Sequence, residues 1–277
     1  MDKPAGPTSH DVVARVRRVF RERSVGHTGT LDPFATGLLV VLLGRATRLA
    51  RYLDDRPKTY RATVRLGQGS DTDDATGVLG PLVADRMPAD AQVRAALAGL
   101  VGTHPQRPPA YSAKKVQGER AYALARAGRP PELPPVEVTV YAADVLHYAP
   151  PDVEIRVTVS AGTYVRALAR DLGERLGLPA HCAALRREAI GEHRVEAAVT
   201  LEALDAGQPL LTPAQVVGHL PACRVTAEEA AALAHGRRIR AAGPAGRCAA
   251  LADGRLIAVG TTGEDGWFQP EVVLEAA

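Results

Sequence analysis

Across 277 residues the chain is 46% hydrophobic, with 34 Lys/Arg against 31 Asp/Glu and a formal net charge of +3. Those values exclude a globally disordered chain and leave room for one large domain, or a large one with a small appendage. No apolar run reaches the ~18–20 residues of a membrane-spanning helix, and Met1-Asp2-Lys3-Pro4 lacks the apolar core of a signal peptide.

The positive charge is unevenly placed. Residues 1–60 hold 11 Lys/Arg against 6 Asp/Glu and residues 101–135 hold 6 against 2, so these segments carry +5 and +4 and the remainder −6. Nearly all of it is arginine, whose planar fork suits phosphate oxygens. Two basic segments on an otherwise acidic chain favour a polyanionic partner. Cys182, Cys223 and Cys248 are far apart and in no CxxC spacing. That argues against a disulfide framework and against a zinc site, and it fits a reducing cytoplasm.

In chain order, Lys3-Pro4-Ala5-Gly6-Pro7-Thr8-Ser9 is a rigid, turn-rich entry. Thr8 or Ser9 is placed to cap a helix with Val12, Val13, Val16, Val19 and Phe20 on one face and Arg15, Arg17, Arg18 and Arg21 on the other. Then comes Gly26-His27-Thr28-Gly29-Thr30-Leu31-Asp32-Pro33-Phe34-Ala35-Thr36-Gly37, ahead of the apolar run Leu38–Leu43. Pro33 restricts Asp32 to extended backbone, and the apolar run predicts a strand buried on both faces. A constrained carboxylate leading into such a strand is placed to aim charge into a cleft. Asp-Pro is also ordinary turn punctuation, and a lone His27 reads first as a capping or core residue.

Thr47 predicts the cap of a short basic helix through Arg51 and Leu53. Lys58–Gly67 alternates with period two, Tyr60, Ala62, Val64 and Leu66 on one face. Tyr60 either sits in the core or faces a cleft as a stacking surface, and the second is the favoured expectation. Ser70–Gly77 is an acidic turn whose Asp spacing lacks the Gly and Glu of a calcium loop. It reads as a loop, and no metal site is expected. Residues 88–101 predict a helix on Val93, Leu97, Leu100 and Val101. Pro105–Lys115 has no period; its prolines, Arg107, Tyr111, Lys114 and Lys115 predict an ordered but mobile binding loop, followed by a helix-like Glu119–Arg126 segment.

Val136–Tyr148 and Val153–Ser160 are strand patterns. After Ala161-Gly162, Val165, Leu168, Ala169 and Leu172 give helical spacing, with Arg166 in the first turn. A cation there opposes the helix dipole, so Arg166 needs another reason, such as a carboxylate partner. From about 223, Thr226 and Glu229 form a capping box, and Ala252-Asp253-Gly254-Arg255 between Cys248–Leu251 and Leu256–Gly260 signals a hairpin. Trp267–Gln269 and Val272–Leu274 predict further strand.

GHTGTLDPFATG resembles the signature loop of the tRNA pseudouridine-55 synthases of the TruB type, a long and chemically unusual match. The motifs around Lys3, Tyr60, Lys114, Arg166 and Leu185 are similar to further motifs of that family; Ala110 stands where the insertion motif more often has methionine. The resemblance implies an α+β fold. It consists of a mainly antiparallel catalytic sheet with flanking helices over residues 1–222, an RNA-clasping insertion at about 70–130, and a small β-rich PUA-like RNA-binding domain over 223–277. It implies a cofactor-free isomerisation of a flipped-out T-arm uridine, with Asp32 as the essential acid, Arg166 pairing with it, and Tyr60 against the uracil. His27, Tyr164, Leu185, Lys3 and Lys114 become substrate-binding candidates. The expected partner is tRNA, with no membrane and no guide RNA, and the expected state is a cytoplasmic monomer. A non-catalytic tRNA-binding chaperone, a nucleoside hydrolase and the guide-RNA-dependent relative are the competing readings.

Overall fold

The computed structural model describes residues 1–111, 115–116, 119–120, 124, 129, 131, 133–240 and 243–274. The chain runs through β1 (Asp2–Lys3), α1 (Ser9–Phe20), β2 (Val25–Thr28), β3 (Thr36–Leu38), β4 (Val40–Leu43), a 3-10 turn (Gly44–Leu49) and α2 (Arg51–Asp54). Next come β5 (Lys58–Leu66), α3 (Asp90–Ala98), β6 (Gly102–Gln106), β7 (Lys115–Val116), β8 (Glu119–Arg120), β9 (Val136–Ala149) and β10 (Asp152–Val159). These lead into α4 (Val165–Arg175), β11 (Ala180–Ile190) and β12 (His193–Arg194). The last stretch holds α5 (Pro213–Val216), β13 (Ala222–Arg224), α6 (Ala227–Ala234), β14 (Ile239–Arg240), β15 (Gly246–Ala252), β16 (Arg255–Thr262) and β17 (Trp267–Val273).

These elements form two compact units. The first comprises residues 1–8, 31–38 and 55–198, and the second comprises 9–30, 39–54 and 199–277. The sequence-based boundary after 222 therefore falls inside the second unit, which also takes in two stretches from the N-terminal quarter.

In the first unit, the described residues give an eight-stranded sheet ordered β1-β3-β11-β5-β10-β9-β6, with β12 paired to β11. Only β3 and β11 pair in parallel. β5 shows how local pattern makes this sheet: its alternating burial puts Lys58, Tyr60, Ala62, Val64 and Leu66 on the inner face. α4 packs against β11 and β5, with Val165, Leu168, Ala169 and Leu172 in the core beside Val93 and Leu97 of α3. At ~25 cal/mol per Å² of apolar burial, such a cluster is the main stabilising contribution.

The second unit holds a five-stranded sheet ordered β13-β15-β16-β17-β14, the β2–β4 pair, and helices α1, α2, α5 and α6. The capping box at Thr226 forms, its hydroxyl accepting from Glu229 N at 3.2 Å. The β15–β16 hairpin turns through Asp253 and Gly254, with φ of 48° and 77°, the left-handed pair that a two-residue hairpin requires.

Three expectations are corrected. Leu38–Leu43 is not one strand: β3 joins β1 and β11, whereas β4 pairs with β2. The apolar run is continuous because the chain stays buried as it passes between units, which period cannot reveal. The helix expected over 88–101 ends at Ala98, and Gly102–Gln106 continues as β6 along β9. Glu119–Arg120 is a strand paired with Lys115–Val116 rather than the start of a helix. No helix among the described residues is long and apolar enough to cross a membrane.

Candidate active site

Asp32 projects from a loop anchored at both ends. Leu31 and Ala35 are buried in the first unit's core. Between them, Ala35 N donates to the Asp32 carbonyl at 3.1 Å, closing a turn with proline at its favoured second position. The Asp32 side chain keeps 39% of its surface exposed.

β1 brings Lys3 against the same loop. Lys3 is 0% exposed, and its ammonium donates to the carbonyls of Pro4, Pro33 and Ala35 at 2.8, 3.2 and 2.7 Å. An ammonium has three protons, and all three have acceptors. Expected to bind substrate, Lys3 instead fastens the loop that carries Asp32. Burial lowers its pKa, and the Asp32 charge opposes that shift.

Arg166 enters from the first turn of α4. The backbone of the preceding residue, Tyr164, is clamped by Gln106 at the end of β6: Tyr164 N donates to Oε1 at 2.8 Å, and Nε2 donates to the Tyr164 carbonyl at 3.2 Å. Tyr164 has no side-chain cap, so this buried amide orients the helix start. The Arg166 side chain is 5% exposed. Its Nε lies 3.0 Å from Asp32 Oδ2. Nη1 donates to the Thr72 carbonyl at 2.9 Å and to Asp74 Oδ2 at 3.1 Å, and Nη2 donates to the Tyr111 carbonyl at 2.8 Å. The cation disfavoured by the helix dipole is thus held by two carboxylates and two carbonyls.

Asp74 is the site residue that sequence reasoning missed. Its Oδ1 accepts from Thr72 Oγ1, Thr76 N and Thr76 Oγ1 at 2.8, 2.9 and 2.6 Å, and its side chain is 5% exposed. The acidic turn is therefore the far wall of the Arg166 site. The short Asp/Thr spacing signals an Asx-type turn, but nothing local marks which aspartate turns inward. Burial raises the Asp32 pKa above the ordinary carboxylate range; Arg166 and Lys3 pull it back, while Asp74 adds to the rise. The expected offset by the guanidinium is partial, because Arg166 is shared with a second carboxylate.

Tyr60 and Leu185 are each 8% exposed and lie in the same core cluster as Leu31 and Ala35. Tyr60 therefore occupies the core, and only a small edge is left for any stacking contact. Leu185 sits on β11 opposite Ala62, and its carbonyl accepts from Thr36 Oγ1 at 3.4 Å. Tyr164 is half-buried at the mouth of α4. His27 belongs to the second unit, on β2 opposite Val41, and Lys114 lies outside the described residues. Cys182 is fully buried, and burial pushes its thiol up to about 12. A separate cavity of about 630 Å³, bordered by His104, Arg107, Arg170 and Glu174 among others, includes neither Asp32 nor Arg166. The ion-paired cleft, not that cavity, carries reactive groups in mutual contact. Among the described residues no group of three or more His, Cys, Asp or Glu is placed to hold a metal ion.

A family model described as TruB family pseudouridylate synthase (N terminal domain) matches residues 17–165, and one described as tRNA pseudouridine synthase II, C terminal, matches residues 220–275. A tRNA pseudouridine synthase B of Thermobifida fusca (strain YX) is 48% identical over 288 residues, spanning 99% of this chain and 97% of that protein. Its counterpart in Arthrobacter sp. (strain FB24) is 45% identical over 253 residues, spanning 89% and 83%. Among solved structures, an archaeal box H/ACA sRNP Nop10–Cbf5 complex aligns with TM-score 0.73 and 28% identity, over 99% of this chain and 85% of that one. A Cbf5–Nop10–Gar1 complex aligns with TM-score 0.75 and 28% identity, over 99% and 84%.

Proposed function

The chain belongs to the TruB family of pseudouridylate synthases, and from that premise we propose that it converts uridine 55, in the T arm of tRNA, to pseudouridine. It is a tRNA pseudouridine synthase, an isomerase. The reaction breaks the N1–C1′ bond, turns the uracil and joins C5 to C1′. The proton leaving C5 is balanced by one gained at N1, so the base needs no redox partner or group carrier.

The observation that carries this reading is the buried Arg166 guanidinium 3.0 Å from a carboxylate that stays 39% exposed. A charge held by a fixed counter-ion yet open on one side is placed to attack or stabilise a glycosidic carbon or its base. Asp32 is the proposed nucleophile in its ionised form, Arg166 the group that orients it, and Asp74 the anchor of Arg166. Lys3 keeps the loop in register. The uridine is flipped out of the folded arm to reach Asp32, with Leu185, the exposed edge of Tyr60 and Tyr164 lining its path. His27 and Lys114 contact RNA around the displaced nucleotide.

The enzyme acts in the cytoplasm as a monomer. It needs no guide RNA, since the bacterial tRNA enzymes at 45–48% identity are nearer relatives than the H/ACA proteins at 28%. The test is incubation of purified protein with a uridine-containing T-arm hairpin and no other RNA, followed by chemical mapping of the product. Conversion at the single loop uridine supports the proposal. Conversion elsewhere, or only after a guide RNA is added, refutes it.

A further inference from the structure

Arg166 shares its face of α4 with Arg170, one turn later. Both reach the same two strips of chain. Arg166 takes Thr72 and Asp74 from the acidic turn and the Tyr111 carbonyl from the segment after β6. Arg170 takes Asp73 Oδ2 at 2.8 Å from that turn and the Arg107 carbonyl at 2.8 Å from that segment. Two adjacent aspartates are thus gripped by two arginines spaced i, i+4. Three of the four groups that hold Arg166 ride on strips that Arg170 pins.

We propose that Arg170, together with Asp73, is a positioning residue for the reaction at Asp32. The proposal rests on reading Asp32 as the reacting carboxylate. Asp73 has φ of 60°, a left-handed conformation that disfavours residues with a Cβ, and it is secured on both sides. Its carbonyl accepts from Cys182 N on β11 at 2.9 Å, and its carboxylate, 13% exposed, goes to α4. With residue 73 fixed in this way, Asp74 is directed inward beneath Arg166. Releasing Asp73 lets the turn relax, moves Asp74 and the Thr72 carbonyl, and so loosens the guanidinium that orients Asp32. Arg170 is not placed as a phosphate ligand: Asp171 at 3.0 Å and Glu174 at 3.7 Å complete its charge matching.

The groups facing Asp32 are Arg166 from α4, Asp74 from the turn and Lys3 from β1. A displaced Arg166 weakens the strongest influence that favours the ionised acid, so the acid limb of the rate profile moves to higher pH. The experiment compares wild type, Arg170→Gln, Asp73→Ser and the double variant in single turnover on the T-arm hairpin, with hairpin binding and thermal unfolding measured in parallel. Each single variant should slow conversion about tenfold while hairpin Kd stays within about twofold. The double variant should be no slower than either single, because both remove one contact, and Arg170→Lys should recover part of the rate. Asp73→Ser leaves Arg170 its other partners and serves alone if Arg170→Gln fails to fold. An unchanged rate and unchanged acid limb, even with a lower melting temperature, overturn the proposal. So does weakened binding at an unchanged rate. A wild-type protein that fails to convert the hairpin would instead overturn the functional reading itself.

Discussion

Replacing Arg166 with alanine should cost more stability through Asp74 than through Asp32. The Arg166–Asp74 pair is 5% exposed on both sides and 3.1 Å apart, an attraction of about 5 kcal/mol at an effective dielectric of ~20. Desolvation cancels part of this, and stranding one member of a buried pair costs roughly 3–5 kcal/mol. Asp74 keeps its three hydrogen bonds from Thr72 and Thr76, so we place the loss near the low end, about 3 kcal/mol. The Asp32 side of the network is 39% exposed and contributes at most about 1 kcal/mol. Unfolding is best followed by hydrogen exchange at α4 amides, because the one tryptophan, Trp267, reports only on the second unit. A loss under about 1 kcal/mol in Arg166→Ala, or an equal loss in Asp32→Asn, refutes the reasoning. Turnover should fall further than hairpin affinity; equal losses would make Arg166 a phosphate contact.

Three other outcomes follow from the geometry. Gly37 has φ of 100°, and a Cβ there would overlap the Arg187 carbonyl oxygen across the parallel β3–β11 pairing; Gly37→Ala should lose at least about 2 kcal/mol in urea unfolding, and a neutral result would mean that the strands separate easily. Because the folded-state pKa of Asp32 is raised, first by burial, stability falls as pH climbs through it, while activity, which uses the carboxylate, rises. The acid limb of kcat/KM should therefore lie above the usual aspartate range, and Asp32→Asn should be neutral or slightly stabilising at neutral pH; a limb at an ordinary aspartate value contradicts this. Burial pushes the Cys182 and Cys223 thiols up to about 12, leaving about one part in 10⁴ as thiolate at pH 8. Iodoacetamide should leave both unmodified in the native protein and label all three cysteines after unfolding, as mass spectrometry would show.

Much of this architecture is legible from local pattern. Period two in Lys58–Leu66 identifies the inner face of β5, and the capping box and Asp-Gly turn identify α6 and the β15–β16 hairpin. The cation misplaced for its helix, Arg166, points to a carboxylate partner before any contact is known. What local pattern cannot show is long-range. Leu38 and Leu39 are both apolar and buried although the chain changes unit between them. Lys3 looks like a surface cation until three carbonyls, two of them some thirty residues away, are found around it. Asp74 differs from Asp73 and Asp71 only in where the turn points it, and that is decided by α4, nearly a hundred residues later. Gln106, in a stretch read as loop, is buried because β6 delivers it to the start of α4.

The most direct test of the proposed chemistry is Asp32→Asn assayed for conversion of the T-arm hairpin, with hairpin affinity measured on the same preparation. Asparagine nearly matches the shape of aspartate and loses only the charge that faces Arg166. The expected result is no detectable pseudouridine with hairpin binding close to wild type; pseudouridine formed at the wild-type rate would remove Asp32 from the reaction.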